Sequence, residues 1–67
     1  MVEILVNGEP RQIPAGTTVA DLLAELGVEP RQVAVEVNLE LVPRGRHAEH
    51  ALDAGDSLEV VTLVGGG

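Results

Sequence analysis

The sequence predicts an α+β domain in which one main helix packs across a mixed sheet of four to five strands. Three observations predict it. An Asn7-Gly8 pair separates two strand-like runs, a single amphipathic stripe lies between Thr18 and Gly27, and alternating apolar patterns return at residues 33–37 and 57–63.

Taken in order, residues 2–6 form a short apolar run, and Asn7-Gly8 is the dipeptide that best accepts the positive φ angles of a tight hairpin turn. Residues 9–13 make the returning strand, and Pro10, which has no backbone N–H, points to an edge position or a strand start. Pro14-Ala15-Gly16 ends that strand. Val19, Leu22, Leu23 and Leu26 then recur at helical spacing, with Thr18 as N-cap and Asp21 three residues later as its capping-box partner. Gly27 closes the helix in the left-handed conformation, and Pro30 stands beyond it. In a chain this short the leucine stripe has to cover the sheet, so it reads as core.

Residues 32–37 alternate Val33, Val35 and Val37 against Gln32, Ala34 and Glu36, the pattern of a half-buried strand. A turn at Asn38-Leu39-Glu40 leads into a short strand at Leu41-Val42, ended by Pro43. Residues 44–50 are polar and irregular, with room for one helical turn. His47 and His50 flank Glu49, but two histidines alone make a weak metal site, so all three read as solvated loop residues and no metal is expected. Leu52 anchors the loop before a turn at residues 53–56. The last strand, 57–63, has apolar residues on both faces. Val61 and Leu63 therefore stand as a candidate docking face. Hairpin, helix, then further strands is the order of the β-grasp, or ubiquitin-like, fold, in which the last strand lies centrally. The reading divides the chain into a β-grasp body, residues 1–63, and a glycine-rich tail, residues 64–67.

Composition narrows the function. Sixty-seven residues give one domain with little room for a buried catalytic cleft, so an enzyme is not expected. With no cysteine there is no thiolate nucleophile or disulfide, Ser57 is the only serine, and the histidines have no evident nucleophile beside them. A net charge of −7, four arginines as the only strongly basic side chains and no aromatic residue argue against nucleic acid and anionic membrane, and favour partners with basic surfaces. No apolar run reaches membrane-spanning length, and Met1 leads into strand sequence without a basic leader, so the expected location is the cytoplasm.

The tail, Val64-Gly65-Gly66-Gly67, carries the functional expectation. A glycine run lacks every Cβ and enters a channel too narrow for side chains. Extended, these four residues reach roughly 13 Å, at about 3.3 Å per residue. The tail thus suits a substrate for another protein's active site, although terminal glycines are also common as disordered ends.

The whole chain resembles the ThiS family of sulfur carrier proteins from thiamin biosynthesis. The resemblance rests on Asn7-Gly8, Thr17-Thr18-Val19 with Leu22-Leu23, residues 34–38 (Ala-Val-Glu-Val-Asn), Val42-Pro43-Arg44, Leu52, Gly55-Asp56, residues 58–61 (Leu-Glu-Val-Val) and the terminal glycines. Two departures stand out: Leu39 occupies a turn position that the family often fills with glycine, and Gly65 is additional to the reactive pair Gly66-Gly67. The resemblance implies that a ThiF-type adenylating enzyme uses ATP and magnesium to activate the Gly67 carboxylate, with no cofactor bound by this chain. A cysteine desulfurase or rhodanese-type donor would then supply the sulfur of a thiocarboxylate, and thiazole synthase would receive it. Gly65 and Gly66 would give access to those active sites, and Gly67 would be the residue modified. A ubiquitin-like protein modifier, or a sulfur carrier for tRNA thiolation or molybdopterin synthesis, is the alternative, because the activation step is shared.

Overall fold

Asn7 and Gly8 adopt φ of 52° and 83°, so both central residues of the first turn are left-handed, as a type I′ hairpin requires. The turn joins β1 (Val2–Val6) to β2 (Glu9–Ile13) in the computed structural model, which describes residues 1–63. The helix α1 (Val19–Leu26) follows, then β3 (Val33–Val37), β4 (Glu40–Val42) and β5 (Ser57–Thr62). Among the described residues five strands form one sheet in the order β2-β1-β5-β3-β4. β5 runs parallel to β1 and antiparallel to β3, and the outer pairs are antiparallel hairpins. This is the expected β-grasp arrangement, with Pro10 on an edge strand and the last strand at the centre.

Strand periodicity puts one face of the sheet under the helix. Ile4, Ile13, Val35, Val37, Val42 and Leu58 point inward from the five strands and meet Val19, Leu22 and Leu23 of α1, with Leu52 sealing the loop side. The helix begins where Thr18 Oγ1 accepts the Asp21 N–H and the Asp21 carboxylate accepts the Thr18 N–H, both at 3.1 Å. The two donors between them, Val19 and Ala20, give their N–H groups to the carbonyls of His50 and His47. Every orphan N–H of the first turn is thus occupied, two of them by residues 47–50. Gly27, at φ 73°, ends the helix.

Three boundaries differ from expectation. Gln32 is not in the third strand: Pro30–Gln32 form a 3₁₀ turn, begun by the fixed φ of Pro30 and by the Glu29 carboxylate accepting the Arg31 N–H at 3.3 Å. The fourth strand starts one residue earlier, at Glu40. The fifth ends at Thr62, although Leu63 still donates its N–H to the Gln32 carbonyl at 2.8 Å. The glycine-rich tail, residues 64–67, lies outside the described residues.

The solvated-loop expectation is corrected at His47. Arg44–Arg46 form a second 3₁₀ turn that rolls the following imidazole under the sheet, where His47 is 4% exposed and its Nε2 sits 3.1 Å from the Val42 carbonyl. A carbonyl only accepts, so Nε2 carries the proton. Glu49 remains exposed and His50 is half-buried.

Candidate functional site

The candidate site is the outgoing end of β5 and the face of the sheet that turns away from the helix. Period-two alternation sends Leu58 and Val60 toward α1 and leaves Glu59 and Val61 outward, with Leu63 following them. Val61 and Leu63, the predicted docking residues, are 50% and 51% exposed. Across β3, Val61 stands opposite Ala34, and Glu59 stands opposite Glu36, which in turn faces Leu41 of β4. The outward surface at the end of β5 is therefore apolar, with two carboxylates beside it.

Two asparagines hold β5 in place. Asn7 donates its backbone N–H to the Leu58 carbonyl at 2.9 Å. Its side-chain Oδ1 accepts the Val60 N–H at 2.8 Å, and Nδ2 donates to the Val60 carbonyl at 3.2 Å. The amide thereby replaces a ladder residue beyond the end of β1. On the other side Asn38 donates its backbone N–H to the Ser57 carbonyl at 2.8 Å, and its Oδ1 accepts the Ser57 N–H at 3.0 Å while Nδ2 donates to Asp56 at 3.0 Å. Each asparagine has φ 52° and serves a hairpin turn as well. Sequence reasoning found the first turn and missed both side-chain clamps. The signal was an asparagine at the first left-handed position of each hairpin. The strand that precedes the tail is thus fixed along both edges, up to Val60 on one and Leu63 on the other.

Leu39 keeps the glycine-type geometry of the second hairpin, at φ 71°, with its side chain 84% exposed. His47 and His50 are not brought together as ligands. Among the described residues, no group of three or more histidine, aspartate or glutamate side chains is placed to hold a metal ion, and no helix is long and apolar enough to cross a membrane. An open groove between the first hairpin and the end of α1 is lined by Pro10, Arg11, Leu26, Val28 and Thr62, and Arg11 there pairs with Glu25 at 2.8 Å. What the arrangement does is present a held strand end and an apolar face. The tail residues Gly65, Gly66 and Gly67, on which the expected chemistry falls, lie outside the described residues.

A family model described as the ThiS family matches residues 4–67. The chain is 50% identical over 66 residues to a protein from Paramagnetospirillum magneticum named thiazole synthase, a match covering 98% of this chain and 20% of that protein. It spans the same one fifth of a second thiazole synthase, from Magnetococcus marinus, at 46% identity. To the sulfur carrier protein ThiS of Escherichia coli it is 33% identical, over 98% of this chain and 100% of the other. The crystal structure of a thiamine biosynthesis protein (ThiS) from Geobacter metallireducens superposes with a TM-score of 0.85 at 30% identity, over 98% of this chain and 100% of that one.

Proposed function

The chain belongs to the ThiS family, and from that membership we propose that it is a sulfur carrier for the thiazole ring of thiamin, a cosubstrate rather than an enzyme. The observation that carries the reading is the match from residue 4 to residue 67, in which the central, doubly clamped β5 leads in sequence into Gly65-Gly66-Gly67.

The chemistry follows from the weakness of a carboxylate as an electrophile. A C-terminal carboxyl group, with an ordinary pKa of about 3.5, is ionised at neutral pH and resists attack. In the proposed sequence the Gly67 carboxylate attacks the α-phosphorus of ATP in the site of a ThiF-type enzyme, which supplies the magnesium, and pyrophosphate leaves. Free sulfide attacking the acyl carbon expels AMP and leaves the thiocarboxylate directly. Where a cysteine desulfurase or rhodanese-type protein provides the sulfur, it arrives as a persulfide. The terminal sulfur attacks the acyl carbon, AMP leaves, and a second thiol cleaves the resulting acyl disulfide, releasing the thiocarboxylate as the two thiols become a disulfide. Gly65 and Gly66 let the tail thread the active site because neither brings a side chain. The consumer is thiazole synthase, a partner supported by the two relatives of that name of which this chain spans a fifth.

The test is tail-fragment mass spectrometry on the 67-residue chain after incubation with a ThiF-type enzyme, ATP, magnesium and a sulfide source. Exchange of oxygen for sulfur is expected at Gly67 and nowhere else. Fragmentation has to locate it, because oxidation of Met1 adds nearly the same mass. Loading that persists after Gly65, Gly66 and Gly67 are all deleted overturns the reading. Lysine-linked conjugates that need Gly67 would assign the chain to protein modification instead.

A further inference from the structure

The chain's two asparagines, Asn7 and Asn38, are near twins. Each sits at φ 52° in a two-residue hairpin turn, each is open to solvent, and each holds β5 through its carboxamide, Asn7 at Val60 and Asn38 at Ser57 and Asp56. They differ in the next residue, which is Gly8 in one turn and Leu39 in the other. Leu39 is costly where it stands. It holds φ 71°, a conformation suited to glycine, and its side chain is 84% exposed, so packing does not offset the strain. Gly8, at φ 83°, has open space where a Cβ would stand.

The residue after an asparagine decides how readily the carboxamide is lost, one reason asparagine is thermolabile. The backbone nitrogen of that residue gives up its proton to water and attacks the asparagine Cγ, ammonia leaves with Nδ2, and a five-membered imide remains. Water then opens the imide at either carbonyl, giving aspartate or isoaspartate. No oxidant, reductant or metal is consumed. A side chain on the attacking residue crowds ring closure, and glycine does not. In the folded chain the Asn7 carboxamide is engaged at both ends by Val60, at 2.8 Å through Oδ1 and 3.2 Å through Nδ2, which holds Cγ toward β5 and away from the Gly8 nitrogen. We propose that Asn7-Gly8 is a self-modifying site whose rate is gated by the bonds to Val60, and that Leu39 shields Asn38 from the same loss. The change is irreversible, and it acts on β5. Aspartate still accepts the Val60 N–H but sets a second acceptor, in place of a donor, against the Val60 carbonyl. Isoaspartate moves a methylene into a two-residue turn whose length fixes the register of β1 against β2. Either product loosens the strand that precedes the tail in sequence and adds one negative charge to a chain that already carries −7.

The experiment incubates wild type and Leu39→Gly at neutral pH, folded in buffer and unfolded in guanidinium, and follows each asparagine by peptide mass spectrometry with ammonia release as the second readout. Unfolded wild type should convert at Asn7 much faster than at Asn38. Folded wild type should convert at Asn7 slower by roughly 5- to 30-fold or more, the factor carried by the two bonds to Val60. Leu39→Gly should melt no lower than wild type and, unfolded, should convert at both asparagines at similar rates. Asn7→Asp, which supplies one product directly, should melt about 4–8 °C lower than wild type. An Asn7 that stays intact in guanidinium overturns the proposal as a whole, and conversion as fast in the folded chain as in the unfolded one overturns the gating. Equal conversion of Asn7 and Asn38 in unfolded wild type, or an Asn38 that Leu39→Gly leaves unchanged, overturns the shielding. An Asn7→Asp chain that melts like wild type overturns the consequence for β5.

Discussion

Asn7 does two things with one residue, and they can be separated by substitution. Asn7→Gly keeps the left-handed turn but removes both bonds to Val60, and should cost about 1–2 kcal/mol in urea denaturation. Asn7→Ala adds a Cβ at positive φ and should lose roughly 1 kcal/mol more. In both, the Val60 amide should exchange faster with solvent, and a glycine variant as stable as wild type would show that the clamp contributes nothing. The turn itself is legible in the sequence because its chemistry is complete within two adjacent residues. The clamp is not, because the amide's partner lies 53 residues away. His47 was misread for the same reason: its polar neighbours in sequence suggest a solvated loop, whereas the group that receives its ring is the Val42 carbonyl under the sheet. His47→Ala should leave that carbonyl without its donor and cost about 1–3 kcal/mol, read by thermal or urea melts. A variant that melts like wild type would return His47 to the role of a loop residue.

At the level of elements, α1 was readable from end to end because its cap, its buried stripe and its terminating glycine are all written locally. Thr18→Ala breaks the reciprocal pair with Asp21 and is expected to cost about 1 kcal/mol. Leu22→Ala empties a fully buried site and should cost about 2–5 kcal/mol, a large share of the 5–15 kcal/mol typical of a whole domain. Circular dichroism during denaturation checks both, and a Leu22→Ala protein of undiminished stability would contradict the packing described. Segments 30–32 and 44–52 were less legible. The first is a 3₁₀ turn set by a proline and a glutamate side chain, which the valine alternation beside it conceals. The second is irregular by itself and gains its shape by supplying carbonyls to the first turn of the helix and an edge bridge between Thr18 and Ala51.

For the molecule as a whole, the order of elements and the single apolar stripe were enough to give the β-grasp, whereas the alternation along β5, apolar on both faces, does not by itself say which face turns outward. The charge arrangement across the outer face was not readable, because opposition of Glu36 and Glu59 depends on the register of two strands far apart in sequence. The buried core uses β5 only through Leu58, with Val60 packed beside it, so deleting residues 64–67 should leave the melting temperature within a few degrees of wild type while abolishing sulfur loading. A large drop in melting temperature would mean that the tail belongs to the fold. A chain ending at Asp56 is a different matter: β1 and β3 then lose their shared neighbour, and it should show no cooperative melt. Among the described strands β5 is the last in sequence, so the two hairpins wait unjoined until translation has passed Thr62. Folding therefore certifies that synthesis has reached the strand that precedes the tail in sequence.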